Sequence, residues 1–130
     1  MKGVADQYRR ALVGTIPPLE LVVLIYDAAL FRIKRGIEAI EKGNPEEAHA
    51  NFLKAQEAVG ELLASLDMQK GGEIARNLAR LYDFIISRLA VANIRKSVKE
   101  AKEAERLLRT LRDAWAEASA KNEAKALQGD

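Results

Sequence analysis

The chain has 130 residues, 21 Lys or Arg against 19 Asp or Glu, a net charge of +2 and no cysteine. A domain of this length buries roughly two-thirds of its unfolded surface, so a core needs neither disulfide nor structural metal, and thiolate catalysis and cysteine zinc sites are excluded. The charges are balanced and interspersed, which speaks against a dedicated nucleic-acid binder, and no apolar run reaches the roughly 20 residues that span a bilayer.

Residues 1–10 contain no signal-peptide apolar region, so a cytoplasmic protein without membrane insertion is expected. Aromatic residues make up only 5% of a composition rich in Ala, Leu, Glu, Lys and Arg, and an all-α fold follows. Residues 1–16 show little periodicity, although Tyr8, Leu12, Val13 and Ile16 stand among polar neighbours. A mobile arm or short helix is expected there.

The first long helix is expected from Pro17 and Pro18, because proline suits a first turn, with Glu20 near the positive end of the dipole. Val22, Tyr26, Ala29, Ile33, Ile37 and Ile40 form its inward stripe, and Leu21, Leu24, Ile25, Ala28 and Phe31 fill much of the remaining circumference. Gly43 and Asn44 end it. Asn44, Pro45 and Glu47 then supply a cap, a first-turn proline and an acid for the second helix. Ala48, Phe52, Ala55, Val59, Leu62 and Leu66 make its seam, whereas Leu53, Gly60 and Ala64 lie together off it.

A turn over 67–72 precedes the third helix, on which Ile74, Leu78, Leu81, Ile85, Leu89 and Ala92 read as the buried seam. A second set, Ala75, Tyr82, Ile86 and Asn93, is rotated from it by roughly 80–100°. Ser97 and Glu100 form a capping-box pattern before the fourth helix, whose inward residues are Ala101, Ala104, Leu108, Leu111, Trp115 and Ala118. The expected domain is an antiparallel up-down four-helix bundle over 17–121, followed by a polar, frayed tail at 122–130.

A shift of 56 residues aligns Ile25, Tyr26, Asp27 and Arg32 with Leu81, Tyr82, Asp83 and Arg88. Heptad-like helices align apolar positions automatically at a multiple of seven, so only the repeated Tyr-Asp and the following Arg exceed expectation. Duplication of a helical hairpin is one reading of them.

Residues that could carry chemistry have simpler explanations. Glu46 and His49 match the Glu-x-x-His spacing of di-iron bundles, but there is no second histidine and both lie off the seam. In each Tyr-Asp pair, neighbouring helix positions point about 100° apart; the tyrosine is expected to pack and the aspartate to form a salt bridge. Arg106, Arg109 and Arg112 could grip phosphates, yet Glu103, Glu105, Asp113 and Glu117 interleave with them. No phosphate loop, metal cluster or nucleophile constellation occurs, so neither enzyme activity nor a cofactor is expected. What remains is surplus apolar surface, notably Leu24 and Phe31 on the first helix, Leu53, Gly60 and Ala64 on the second, and Tyr82 and Ile86 on the third. Surfaces of that kind mark partner sites, unless broad stripes absorb them into the core.

Fragments spread over residues 8–115 resemble the FliS family of flagellar secretion chaperones. They are Tyr8, Val13 and Thr15; Pro18, Glu20 and Leu21 before Tyr26 and Asp27; Lys54, Ala55 and Gln56 with Glu61 and Leu62; Leu66 and Asp67; Gly71 to Ala75; Leu81 to Asp83; Arg88 and Leu89; Ala92 and Asn93; and Arg112 to Trp115. Pro17 departs from the threonine cap common in the family.

The resemblance implies a cytoplasmic four-helix bundle that binds the disordered C-terminal segment of flagellin in apolar grooves. Binding would prevent premature polymerisation and keep the client export-competent, with the export apparatus as a further partner. Leu53, Gly60, Ala64, Tyr82, Ile86, Leu24 and Phe31 are the expected groove residues, and Tyr8 and Leu12 would anchor an arm covering the groove. The free protein is expected to be a monomer or weak dimer. Two other readings use the same features: a self-associating structural bundle, and a nucleic-acid-binding adaptor with salt-dependent affinity.

Overall fold

The computed structural model describes residues 18–127, with side chains from Leu19 to Lys121. The arm expected at 1–16, with Tyr8 and Leu12, lies outside them. Four helices follow in order: α1 (Pro18–Glu41), α2 (Pro45–Ala64), α3 (Met68–Arg95) and α4 (Val98–Leu127). α4 therefore continues beyond Lys121, where its apolar periodicity fades.

Local chemistry places each boundary. At the end of α1, Gly43 adopts φ 74°, and the Asn44 amide folds back to the Ala39 carbonyl at 2.8 Å, a closure that favours glycine. The Asn44 side chain then accepts from the Glu47 amide at 3.2 Å, ahead of Pro45 in the first turn of α2. Asp67 caps α3 by accepting from the amides of Gln69 and Lys70. The helix starts there rather than at Gly71, but Gly72 interrupts it with φ 53° and ψ −128°. Before α4, the Ser97 hydroxyl donates directly to the Glu100 carboxylate, which lowers the carboxyl pKa. This differs from the expected reciprocal bonding to backbone amides.

The short connections make consecutive helices antiparallel. Gln56 meets Ile86 and His49 meets Asn93, so α3 descends as α2 rises. α1 packs on α2 and α4, and α3 on α2 and α4, which gives a square with α1 and α3 on one diagonal. At Gly36 the α1–α2 approach is close enough that a Cβ would stand 2.8 Å from the Phe52 ring.

The core contains Tyr26, Ile33, Phe52, Val59, Leu62, Tyr82, Ile85, Leu89 and Leu108, all fully buried. The expected α2 seam is observed from Ala48 to Leu62, with Asn51 and Ala58 buried beside it, whereas Leu66 falls beyond the end of the helix and is half-buried. On α3, however, Ile74 is 74% exposed, while Ala75, Tyr82 and Asn93 from the second set are buried. The two stripes are one broad buried face centred between them, because a helix at a corner of the square contacts two neighbours and faces the diagonal. Ile25 on α1 is absorbed into the core for the same reason. At the far end of α4, Ala118 is exposed and Ser119 is buried instead.

Tyr26 and Tyr82 meet across the diagonal, hydroxyl to hydroxyl at 2.5 Å, with ring centroids 6.3 Å apart and the Trp115 indole beside both. α1 and α3 run the same way, so the 56-residue repeat sets the two tyrosines at one level. Asp27 forms the expected salt bridge, to Arg112 at 2.8 Å; Asp83 forms none among the described residues.

Removing one hydroxyl leaves the other buried without its partner, whereas removing both leaves none. Tyr26→Phe and Tyr82→Phe are each expected to cost about 1–3 kcal/mol in urea denaturation, and the double variant less than their sum. Burial, reinforced at Tyr26 by the bond to Tyr82, raises both phenol pKa values above the ordinary 10.0. Tyrosinate thus forms more readily in the unfolded chain. The pair's stabilisation is complete below pH 10 and is lost as pH rises beyond it, so melting temperature should fall more steeply there for the wild type than for the double variant.

Candidate functional site

A junction runs between α2 and α3 where they pack together. Gln56 spans it, donating from Nε2 to the Ile86 carbonyl at 3.3 Å, and Ile86 packs half-buried against the core. On the outer side of Gln56, Leu53 is 48% exposed. Gly60 and Ala64 continue the row, and nothing lies within 4 Å of the position a Gly60 Cβ would take. A residue every three or four positions forms one helix face; Leu53, Gln56, Gly60 and Ala64 therefore edge a shallow trough along the junction. An apolar floor between two helices accepts a third helix whose own apolar side chains enter it.

One end of the trough is locked by polar contacts. Lys96 donates from Nζ to both the carbonyl and the side-chain Oδ1 of Asn93, each at 2.6 Å. The Asn93 Nδ2 is then the donor to His49 Nδ1 at 2.8 Å. His49 is thus a helix-to-helix contact, not half of a metal motif.

The remaining expected site residues fall elsewhere. Tyr82 is 1% exposed and bonded to Tyr26, so it belongs to the core rather than to an open groove; the second stripe that suggested a surface is the inward face. Leu24 and Phe31 are two turns apart on α1. Leu24 lines a groove of about 460 Å³ between α1 and α4, with Val23, Ala116 and the Asp27–Arg112 pair. Phe31 is 55% exposed beneath the guanidinium groups of Arg32 and Arg35, 5.5 and 6.0 Å from its ring centroid. The α1–α4 groove lies on the side of the square opposite the α2–α3 trough, so the expected residues form two surfaces rather than one.

Exposed Phe84 and Ile94 on α3 escaped the sequence reading. Their signal is a spacing that shares a stripe with Val91, opposite the buried face. Arg112, held to Asp27 through Nε at 2.8 Å and Nη2 at 3.4 Å, is a clamp between α1 and α4. That bond raises its pKa further, and it removes Arg112 from the arginines available to a ligand.

A bundle that turns its spare apolar surface outwards, in shallow troughs between helices, is built to hold another chain. The sequence matches the family model described as flagellar protein FliS over residues 1–122, and the chain belongs to that family. Its relatives include the flagellar secretion chaperones FliS of Salmonella typhimurium, 34% identical over 93% of this chain and 90% of the relative, and of Bacillus subtilis, 31% identical over 85% and 82%. The FliS protein of Vibrio cholerae is 27% identical over 88% of each chain. The family is one of chaperones, not enzymes, and a protein client follows from that role. Among the described residues no helix is long and apolar enough to cross a membrane.

Ile86 is anchored in the core, so Ile86→Asp would bury part of a charge and should cost about 2–4 kcal/mol. Leu53→Glu changes an open position and should stay within about 1 kcal/mol of wild type. Denaturant midpoints measured side by side check the assignment, and equal losses would contradict it.

Proposed function

We propose that this chain is a cytoplasmic export chaperone that holds the C-terminal segment of flagellin, with the α2–α3 trough taking an amphipathic helix of that client. The observation that carries this reading is the trough itself: Leu53 stands open, Gly60 leaves room for close approach, and Ile86 supplies an apolar floor. Family membership supports a flagellar client. The second surface, with Leu24 and Phe31, suits a further segment of the same client wrapped around the bundle. Ordering a disordered segment consumes part of the gross binding energy, which suits a client that is later released for export. While bound, the segment is withheld from polymerisation. Tyr8 and Leu12 remain the proposed contacts of a covering arm.

Titration calorimetry tests the reading. Intact monomeric flagellin should bind with a negative heat-capacity change, and flagellin lacking its C-terminal segment should not. Leu53→Glu should weaken binding at least about tenfold, roughly 1.4 kcal/mol, while leaving the melting temperature near that of wild type. Equal binding of intact and truncated flagellin would overturn the proposal.

A further inference from the structure

The bundle consists of two helical hairpins, α1–α2 and α3–α4, and the side-chain ties between them are closer than those within the second hairpin. Tyr26 meets Tyr82 at 2.5 Å, Asp27 meets Arg112 at 2.8 Å, His49 meets Asn93 at 2.8 Å and Gln56 reaches Ile86 at 3.3 Å. Between α3 and α4, Arg88 and Arg95 come only to 3.7 and 3.9 Å from Glu103 and Glu100. α1 packs on α4 and α2 on α3, so the core is shared between the hairpins. None of these contacts requires both hairpins to belong to one chain.

The covalent connection between the hairpins is short and exacting. Only Ser65, Leu66 and Asp67 separate α2 from α3, and two consecutive positions just beyond them suit glycine alone. A Cβ at Gly71 would stand 2.6 Å from the Ala75 Cβ, nearer than two such carbons approach. Gly72 has φ 53° with ψ −128°, a conformation open in practice only to glycine. Short connections under demands of this kind favour exchange of the elements they join. Drawn out, residues 65–72 reach roughly 26 Å, well beyond the roughly 10 Å between packed helix axes. In that form neither position needs glycine.

We propose that a second copy of this chain joins the first by exchanging hairpins, so that each of two bundles combines α1–α2 of one copy with α3–α4 of the other. Every contact of the core is kept in that dimer, and only the connection over 65–72 changes. Both surfaces described above then become shared between copies. In the trough, Leu53 and Gly60 come from one copy and Ile86 from the other; in the opposite groove, Asp27 of one copy pairs with Arg112 of the other. Concentration and the conformational demand at Gly71 and Gly72 set the balance between the closed chain and the exchanged dimer. This inference does not depend on what occupies the trough.

Charge reversal at Asp27 and Arg112 tests this with full chains. Asp27→Lys sets two cations together and Arg112→Glu two carboxylates, whether a bundle forms from one chain or from two copies of the same variant. Mixed in urea and refolded together at high concentration, the two variants can satisfy every such pair only by exchanging hairpins, because one bundle then carries both substitutions and the other neither. Size-exclusion chromatography with native mass spectrometry should show a dimer of one copy of each, at least about tenfold in excess of either variant's own dimer. Both side chains are partly exposed, so circular dichroism should show each variant helical. Wild type refolded at high concentration should give a dimer that survives dilution, since reversal requires the hairpins to part. Gly72→Ala penalises the closed turn in both chains and should raise the association constant at least about tenfold. The proposal is overturned if no mixed dimer forms, if mixed and single-variant dimers form equally, as face-to-face dimers would, or if Gly72→Ala stays folded and monomeric. Where one of these variants does not fold, the other comparison decides.

Discussion

The hydrogen bond between Tyr26 and Tyr82 is the constraint on which the other contacts depend. In a square of four helices the neighbours touch along their edges, and nothing in edge packing alone fixes the level at which α1 and α3 stand. Two phenols that must find each other inside an apolar core fix it, because a slip of one turn would bury both hydroxyls without partners. Trp115 brings α4 to the same point. Once that level is set, Gly36 can receive Phe52, Asp27 can meet Arg112, and Gln56 can span to Ile86.

The same constraint decides which surfaces stay free. Tyrosines fill the middle of the bundle, and a trough remains beside the Gln56–Ile86 contact, where Gly60 and Ala64 leave the edge of α2 open. On the opposite side, the Asp27–Arg112 clamp joins α1 to α4 and forms part of the wall of the other groove. The open apolar positions Leu24 and Leu53 lie on edges of the bundle, so reaching them requires no opening of the core.

The fold was largely legible in the sequence. Helix number, order and most boundaries follow from Asn44 with Pro45, from Gly43 and from heptad spacing, because caps and periodicity are local physics. The α2 seam was readable from Ala48 to Leu62, though not the flanking Asn51 and Ala58. The inward face of α3 was not: with about 100° between residues, two adjacent stripes are consistent with one broad buried face or with a seam plus a surface. Only the diagonal partner of Tyr82 decides between them. Leu53, Gly60 and Ala64 were legible as a surface because they lie far from their seam. Phe84 and Ile94 were not, since the seam first read through Ile74 and Leu81 drew attention away from the opposite side of the helix.

The interruption at Gly72 has a mechanical meaning. Its dihedral angles lie in a region open in practice only to glycine, and the turn before it is held by Asp67 through two side-chain bonds and one from the Gly71 amide to its carbonyl. The residues from Met68 to Gly71 thus form a small cuff, hinged to α3 but not continuous with its hydrogen-bond ladder. Unwinding the cuff would break no bond in the core and would lengthen the link between the two hairpins. The end of the trough at Ala64 therefore borders slack chain, whereas the end at His49 is pinned, and what compliance this surface has lies at one end only.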